Sequence, residues 1–284
     1  MKLTTKFLFI VSLLFPFQLI ANPVGSKQNV IRLTASQVTS AIDIEAAIRS
    51  ATADGSRSGT VILDGRDGPF LLTGVDRSVN IFVSNLTLRG EYGAAVRGCD
   101  DGLFFDDFPL KHIVVSEITF LCIGDGLEAS GTFQDVILQN NIFQTGKNGI
   151  IVSGGSSKWT IKDNLVQAGL DALQLTAVEN SVITGNHLSG NIAVGLFQGS
   201  KNLVRDNAIQ ADYQGILLGM ETWKNNVLEN TILGVSAAGI ALEPGVTGNR
   251  VMANKVLCAP EATCLTVDAG ADVLEMNTIA GNRP

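Results

Sequence analysis

Residues 136–146 read VILQNNIFQTG, and two later stretches repeat the same plan, TIKDNLVQAG at 160–169 and VITGNHLSG at 182–190. Each stretch begins with a short run of alternating apolar and polar residues and then reaches an asparagine. A second alternating run follows and ends near a glycine. Alternation within short runs is typical of β-strands that are buried on one face. The pattern therefore predicts two short strands joined by a turn, repeated along the chain.

The asparagines of these segments form a column with spacings of 21 to 24 residues. The column consists of Asn141, Asn164, Asn186, Asn207, Asn230, Asn254 and Asn277. Upstream, Asn85 and Glu117 are assigned to the same column, and the wider gap between them indicates an inserted segment. A period of this length with several strands per period indicates a β-solenoid; the L-x-x-L-x-L frame of a leucine-rich repeat is absent. We expect the asparagines to form a structural ladder at a corner.

A further alternating run follows each glycine and supplies another strand per coil. Its aligned inward residues are Leu127, Ile150, Leu173, Leu196, Ile216 and Ile240. The array resembles the single-stranded right-handed parallel β-helix of the pectate-lyase-like superfamily, which is an all-β fold. More narrowly, it resembles the short-coil repeats of carbohydrate-binding and sugar-hydrolysing β-helix proteins. The resemblance covers Gly59 to Asn282 and implies about nine coils.

The chain is expected to divide into a signal peptide (1–21), an N-terminal extension with a capping helix (22–58) and the β-helix (59–284). Two lysines precede an apolar run, Phe7 to Ile20, that is short for a bilayer span and ends near the small residue Ala21. We therefore expect a secreted or periplasmic protein with no membrane span once the signal is cleaved.

The ends of a solenoid expose unpaired strands and need cover. Ser40 is a candidate N-cap, and Gly55 is a candidate stop for a helix. The apolar stripe of that helix is Ile44, Ala47, Ile48 and Ala51. The resemblance implies that this α-helix caps the N-terminal end. No comparable cap follows Asn277, so a loop, self-association or a partner is expected to cover the C-terminal end.

Charge restricts the partners. The chain has 20 basic and 27 acidic residues, and removal of two leader lysines leaves a net charge near −9. This charge argues against nucleic acid or an anionic membrane surface as a partner. A polyanionic ligand would need a local basic patch. The even count of four cysteines permits disulfides in an exported protein: Cys258 with Cys264 as a loop staple and Cys99 with Cys122 between neighbouring coils. Buried free thiols are the alternative.

One polar column departs from the repeat. Asp125, Asn148 and Asp171 precede the second strands of three successive coils, and Lys147 lies beside them. The corresponding residues on later coils are Val194, Gln214 and Ala238. Asp125 and Asp171 would lie two coils apart, about 9.6 Å, near the upper limit for the two carboxylates of an inverting glycosidase. The oxygens of Asp125, Asn148 and Asp171 would suit Ca²⁺ if they converge.

These residues give the candidate catalytic set Asp125, Lys147 and Asp171, with Lys147 as the base of a calcium-assisted lyase. Asn148, Tyr213 and Trp223 are candidate substrate-binding residues, the aromatic pair by stacking on sugar rings if they share a face with the column. The alternative is that polar residues merely solvate the corners. A weaker cation site is the inserted coil, which contains Arg97, Asp100, Asp101, Asp106, Asp107 and His112.

The motifs of well-known β-helix enzymes are absent. The sequence lacks the Arg-x-Pro-x-x-Arg stretch of pectate lyases and the Asp-Pro-His-Asp motif of mannuronan epimerases. Gly124-Asp125-Gly126 resembles the polygalacturonase motifs only weakly. Two hypotheses therefore stay open. One is a lyase or hydrolase acting on an acidic polysaccharide. The other is a noncatalytic module that binds glycan or protein or serves a structural role.

Overall fold

The computed structural model describes most of the chain of 284 residues. The described residues are 29–74, 77–106, 108–258, 262–267 and 278–280. The expected signal peptide, Asn277 and Asp107 lie outside them. Within the described residues, no helix combines the length and apolar character that a membrane crossing requires.

The described strands pair in parallel and stack as three faces, here called A, B and C in the order in which each coil visits them. Face A contains eleven strands: Asn29–Thr34, Gly59–Asp64, Leu86–Glu91, Leu110–Ser116, Phe133–Gln139, Thr160–Lys162, Val182–Thr184, Leu203–Arg205, Asn226–Leu228, Arg250–Met252 and Thr278–Ala280. This stack confirms the predicted parallel β-helix of about nine coils.

Faces B and C belong to one sheet, because two long strands run through both. These strands are His187–Phe197 and Ala208–Gly219. The other strands of face B are Phe70–Leu71, Ala95–Cys99, Thr119–Cys122, Ile142–Thr145, Leu165–Ala168, Thr231–Val235 and Lys255–Cys258. The other strands of face C are Val79–Ile81, Leu103–Phe105, Leu127–Ser130, Ile150–Ser153, Leu173–Thr176, Ala238–Leu242 and Thr263–Val267.

The core follows from the alternation in the sequence. Leu138, Ile161 and Ile183 are fully buried on face A and pair in register on successive coils. Equivalent side chains therefore stack at the strand spacing of about 4.8 Å, which builds one continuous apolar core. Trp159 is also fully buried and packs 5.8 Å from Phe105 between ring centroids.

The asparagine column forms the predicted ladder at the corner between faces A and B. The Asn164 side-chain oxygen accepts the backbone N–H of Asn141 at 2.9 Å, and its amide nitrogen donates to the Leu138 carbonyl at 3.0 Å. The same contacts continue through the described asparagines of the column: Asn141, Asn164, Asn186, Asn207, Asn230 and Asn254. These side chains are buried, so the ladder satisfies backbone groups that water does not reach.

Two assignments to this ladder are wrong. Glu117 lies opposite Asn140, since the strand pairing aligns Ser116 with Gln139, and it is Ile118 whose N–H meets Asn141. Asn85 precedes a face A strand and so lies at the other end of that face. Both residues have a positive φ, 62° for Asn85 and 60° for Glu117. At the corner between faces A and B, the left-handed conformation is therefore adopted by the residue that precedes the ladder position, as in Glu117 before Ile118 and in Asn140, whose φ is 54°, before Asn141.

A second ladder at the corner between faces C and A was not predicted. The side-chain oxygens of Asn202, Asn225 and Asn249 each accept a backbone N–H from the preceding coil, at 2.9 to 3.0 Å. These asparagines recur at intervals of 23 and 24 residues, which is the signal that the repeat search could have used.

The N-terminal end is covered by the predicted helix. The helix spans Ala41–Thr52, and the N–H of its N-cap Ser40 donates to the Asp43 carboxylate at 3.0 Å. Its apolar stripe is buried against the first coil. The helix ends before Gly55, because Ala53 already takes a left-handed φ of 46°. Two short 3-10 helices, Ala35–Gln37 and Gly65–Asp67, complete this end.

Face A begins earlier than the expected boundary at residue 59. Asn29–Thr34, within the expected extension, pairs in parallel with Gly59–Asp64. The side chains explain this added strand in part, since Arg32 donates to the nearly buried Asp64 carboxylate at 2.8 Å and lies 2.8 Å from Glu91.

The predicted disulfide between Cys99 and Cys122 is present. The two Cα atoms are 4.7 Å apart, and the strands pair these cysteines on neighbouring coils. Cys264 is also disulfide-bonded. The side chain of Cys258, its predicted partner, lies outside the described residues.

Candidate functional site

The polar column predicted at Asp125, Asn148 and Asp171 lies at the corner between faces B and C, hereafter the B–C corner. Each side chain accepts the backbone N–H of the next coil. Asp125 Oδ1 accepts Asn148 N–H at 2.8 Å, and Asn148 Oδ1 accepts Asp171 N–H at 3.2 Å. Asp171 Oδ1 then accepts Ile192 N–H at 3.1 Å. The column is therefore a third side-chain ladder, and it places the three residues on successive coils.

The ladder begins two coils earlier than predicted. Asp101 Oδ1 accepts the Asp125 N–H at 2.8 Å, and Ser78 Oγ accepts the Asp101 N–H at 3.1 Å. Its continuation also differs, because Leu196 pairs with Leu175, which gives Val194 the inward position and Ile192 the corner position. The assignments of Val194 to the corner and of Leu196 to the inward column opposite Leu173 are therefore wrong.

The corner carboxylates are half-buried and each uses one oxygen in the ladder. Within the described residues, neither Asp125 nor Asp171 forms an ion pair, so the second oxygen of each remains available to a ligand. Lys147 is exposed and lies between them along the axis. Its N–H donates to the Gly124 carbonyl at 3.1 Å, and its carbonyl accepts the Leu170 N–H at 2.9 Å. Two acidic groups and one cation thus occupy three successive coils of one edge.

Tyr213 and Trp223 lie on different corners. Tyr213 precedes Gln214, which the strand pairing aligns with Ile192, so Tyr213 belongs to the B–C corner two coils beyond Asp171. Its side chain is 49% exposed. Trp223 bridges Ser200 and Thr247 at the corner between faces C and A, hereafter the C–A corner.

Face C lies between these two corners, and its outer surface changes character along the axis. On the earlier coils it carries Ser130 and Ser153, whose hydroxyls are 3.1 Å apart. On the later coils Leu217 and Ala241 form an apolar cluster outside the core, against which Phe197 packs. A sugar, with polar hydroxyls and apolar C–H faces, offers both kinds of group.

Calcium was expected to use oxygens of Asp125, Asn148 and Asp171. Asn148 directs its amide nitrogen to Asp125, at 2.9 Å, and its oxygen to the Asp171 backbone. This leaves one free oxygen on each aspartate, two coils apart, against the six to eight oxygens that Ca²⁺ takes. Among the described residues, no group of three His, Cys, Asp or Glu side chains could hold a metal ion. A ligand would therefore have to supply most of the coordination.

The residues of the inserted coil do not gather into one described cation site. Asp100 pairs with Arg77, with Arg77 Nε 3.1 Å from Asp100 Oδ2, while Asp101 belongs to the B–C ladder. His112 lies elsewhere, near the start of the face A strand Leu110–Ser116, with its Nδ1 3.5 Å from the Asp135 carboxylate. His187 is exposed on face B, where it lines a shallow depression of about 250 Å³ together with Gln167.

Comparisons with known proteins agree with this architecture. A family model described as "Right handed beta helix region" matches residues 125–283, and one described as "Periplasmic copper-binding protein (NosD)" matches residues 26–202. The chain belongs to the right-handed β-helix and NosD families. No curated protein sequence matches this β-helix protein significantly.

Solved structures with a similar fold include DFA-IIIase from Arthrobacter chlorophenolicus A6 in complex with GF2. It is 12% identical, the match covers 89% of this chain and 99% of that chain, and the TM-score is 0.59. A cysteine-to-alanine variant of DFA-IIIase in complex with DFA-III is also 12% identical, with 86% and 87% coverage and a TM-score of 0.60. At this identity the likeness shows the fold alone.

The NosD description names copper, and the described residues do not fit it. Copper sites in proteins use imidazole and sulfur ligands. The two histidines lie on different faces, His112 on face A and His187 on face B. No described cysteine is free, and the described methionines lie apart, Met220 at the C–A corner and Met252 at the end of a face A strand. The described part of this β-helix protein therefore provides no copper site of this kind.

Proposed function

We propose that this protein is exported and binds a polysaccharide along the B–C corner and the outer surface of face C. The observation that carries the proposal is the ladder itself. It presents a carboxylate or amide of Asp125, Asn148 and Asp171 at each coil, with an exposed aromatic ring, Tyr213, farther along the same edge.

A repeating ligand suits a repeating edge. Successive coils advance by about 4.8 Å, and a sugar unit in an extended chain advances by a distance of the same order. Each coil from Asp125 to Gln214 therefore meets about one sugar. Free carboxylate oxygens accept sugar hydroxyls, and Lys147 offers a cation to an acidic sugar.

Recognition of the sugar rings is expected to depend on the later coils. Sites for such ligands combine apolar and aromatic surface with a few placed polar groups. Tyr213 provides an exposed ring, and the partly buried Phe197, which packs on the buried Leu217, provides apolar surface on face C. The sugar ligands of the DFA-IIIase complexes support a saccharide as ligand, and the periplasmic NosD family supports export.

The second candidate function is catalysis on an acidic polysaccharide. The position of Lys147 between Asp125 and Asp171 favours it, because a base and two carboxylates meet the same stretch of ligand. In a lyase, Lys147 in its uncharged form would remove the proton from the carbon next to the uronate carboxylate. The bond from the neighbouring carbon to the glycosidic oxygen would break and leave a carbon–carbon double bond, and the leaving oxygen would take a proton from water. Asp125 or Asp171 would hold Ca²⁺ together with the uronate carboxylate if the ion takes part, and Ca²⁺ would supply charge neutralisation there.

Binding is tested by calorimetric titration of the exported protein with neutral and uronate hexasaccharides. We expect Asp171→Asn and Tyr213→Ala each to weaken binding by about tenfold, the loss of one charged hydrogen bond or one stacked ring. Asp206→Asn is the matched control, because Asp206 is an exposed aspartate at the corner between faces A and B. Equal affinity for all three variants and the wild type would contradict the proposal.

Catalysis is tested separately, by following new reducing ends and unsaturated products with and without a chelator. If the protein only binds, no product forms. If it is a lyase or hydrolase, products form, and both Lys147→Gln and Asp171→Asn abolish them while the protein stays folded. Product formation that survives both substitutions would exclude these residues as the catalytic set.

A further inference from the structure

A second feature of the molecule lies at the C–A corner, across face C from the proposed binding edge. Trp223 is 37% exposed there. The ammonium of Lys201 lies 5.5 Å from its ring centroid and that of Lys224 lies 4.8 Å from it. We refer to Lys201, Trp223 and Lys224 as the Trp223 cluster. We propose that the Trp223 cluster is a subsite for the anionic sugar units of the polysaccharide; this inference rests on the proposed function.

The charge of the cluster runs against that of the whole chain. The protein has a formal net charge of −7, yet two cations lie together on one ring. Within the described residues, neither Lys201 nor Lys224 has a carboxylate within ion-pair distance, although Glu221 is close in sequence. Two cations without a paired anion form a local attractive site for a uronate carboxylate or a sulfate ester.

The backbone that carries the ring is held by the neighbouring coils. The backbone N–H of Trp223 donates to the Gly199 carbonyl at 3.1 Å, and the backbone carbonyl of Trp223 accepts the Lys201 N–H at 3.3 Å. Ser200 and Thr247 pair with it on the coils before and after. The residues that enter this corner have positive φ values, 40° at Met220 and 61° at Glu221, which L-residues adopt at a cost.

The cluster combines two recognition elements for one ligand class. An indole ring stacks on the C–H face of a sugar, and flanking ammonium groups bind the acidic substituent of that sugar. A neutral sugar would use the ring alone. The cluster should therefore bind acidic saccharides more tightly than neutral ones. The carboxylates of the B–C corner cannot give this preference, because they do not attract an acidic sugar.

The chain's two tryptophans make the test direct, because Trp159 is fully buried and Trp223 is exposed. The experiment titrates the full-length exported protein with a uronate hexasaccharide and with its neutral counterpart, and it follows acrylamide-quenchable tryptophan fluorescence beside calorimetric heat. We expect the uronate oligosaccharide to protect Trp223 from acrylamide, with an affinity that falls as salt rises. Trp223→Phe should remove the response and leave the buried emission of Trp159.

The lysines are tested by Lys201→Gln with Lys224→Gln. We expect the double variant to lose about tenfold in affinity for the uronate oligosaccharide at this site and to keep its affinity for the neutral one. Lys162→Gln, at the far end of a face A strand and away from the cluster, is the control. Heat without any change at Trp223 would overturn the subsite and leave the proposed function standing. Neither heat nor fluorescence change would overturn both. Equal protection by inorganic sulfate alone would reduce the cluster to a simple anion site and also overturn the inference.

Discussion

The side-chain oxygen of Asn148 accepts the backbone N–H of Asp171 at 3.2 Å, the contact by which each residue of the B–C corner supports the next coil. An amide and a carboxylate thus do the same structural work at adjacent positions of one ladder. Structure and ligand binding are therefore separable at this edge, because the ladder needs an oxygen acceptor and only the proposed ligand needs the charge.

This separation gives the first prediction. Asp171→Asn keeps an acceptor for Ile192 N–H, so its free energy of unfolding should stay within about 0.5 kcal/mol of the wild type. Asp171→Ala leaves that N–H without its partner and should cost about 1–2 kcal/mol. Denaturant unfolding of both variants measures the difference. Equal losses for the two would show that the ladder contact does not stabilise the corner.

The buried asparagine ladder gives a larger effect. Asn186 accepts from Asn164 and donates to the carbonyls of Ile161 and Thr184 and to Asn207. Asn186→Ala should cost about 3 kcal/mol, because it leaves several buried groups unpaired at once. His187→Ala, an exposed neighbour, is the control and should change stability by less than about 0.5 kcal/mol. A loss for Asn186→Ala no larger than that of the control would contradict a structural role for the ladder.

The disulfide between Cys99 and Cys122 closes a loop with a sequence separation of 23. Its removal by paired alanine substitutions should lower the free energy of unfolding by roughly 3 kcal/mol, mainly by freeing the unfolded chain. The measurement is thermal or urea unfolding of the double variant beside the wild type. Unchanged stability would mean that the inserted coil is held by packing alone.

Stability at low pH should depend on Asp64. Hydrogen bonds from the Arg66 side chain, with Arg66 N–H and Arg32 contributing, hold the pKa of Asp64 well below its ordinary value, although burial opposes this. A folded-state pKa below the unfolded one gives stability that is complete above about pH 4 and is lost as the pH falls further toward the folded-state pKa. Asp64→Asn should therefore be less stable than the wild type at pH 7.

The same variant should lose less stability than the wild type when the pH falls from 4 to 2.5. Urea midpoints at pH 7, 4 and 2.5 measure both effects. Asp67→Asn, which changes an exposed carboxylate close by, is the control. Parallel pH profiles for Asp64→Asn and the wild type would contradict the proposed linkage.

Much of the fold could be predicted because the repeat records the core directly. The apolar alternation around Leu138 and Ile161 reports burial, and the period near 23 residues reports the length of a coil. The apolar stripe of the helix, with Ile44 and Ile48, could also be predicted, because its spacing in the sequence reports which side chains are buried. The local sequence pattern gave a wrong alignment where the register between coils depends on the length of a strand. Glu117 resembles the ladder position, yet the pairing of Ser116 with Gln139 moves it by one residue.

The site was predicted only in part. Asp125, Asn148 and Asp171 stack as expected, because their spacing equals the length of a coil. The number of residues in each turn decides which corner an exposed ring occupies, and this number could not be predicted from the sequence. Tyr213 therefore joins the column while Trp223 joins Lys201 and Lys224 at another corner.

The central claim is that a polysaccharide lies along the B–C corner with about one sugar per coil. A calorimetric length series, from monosaccharide to octasaccharide, tests it most directly. The B–C corner from Asp125 to Gln214 spans five coils, four with a polar residue and one with Ile192, so affinity should rise with each added sugar and level off near five or six. The same affinity for a monosaccharide and an octasaccharide, or no binding at any length, would contradict the account.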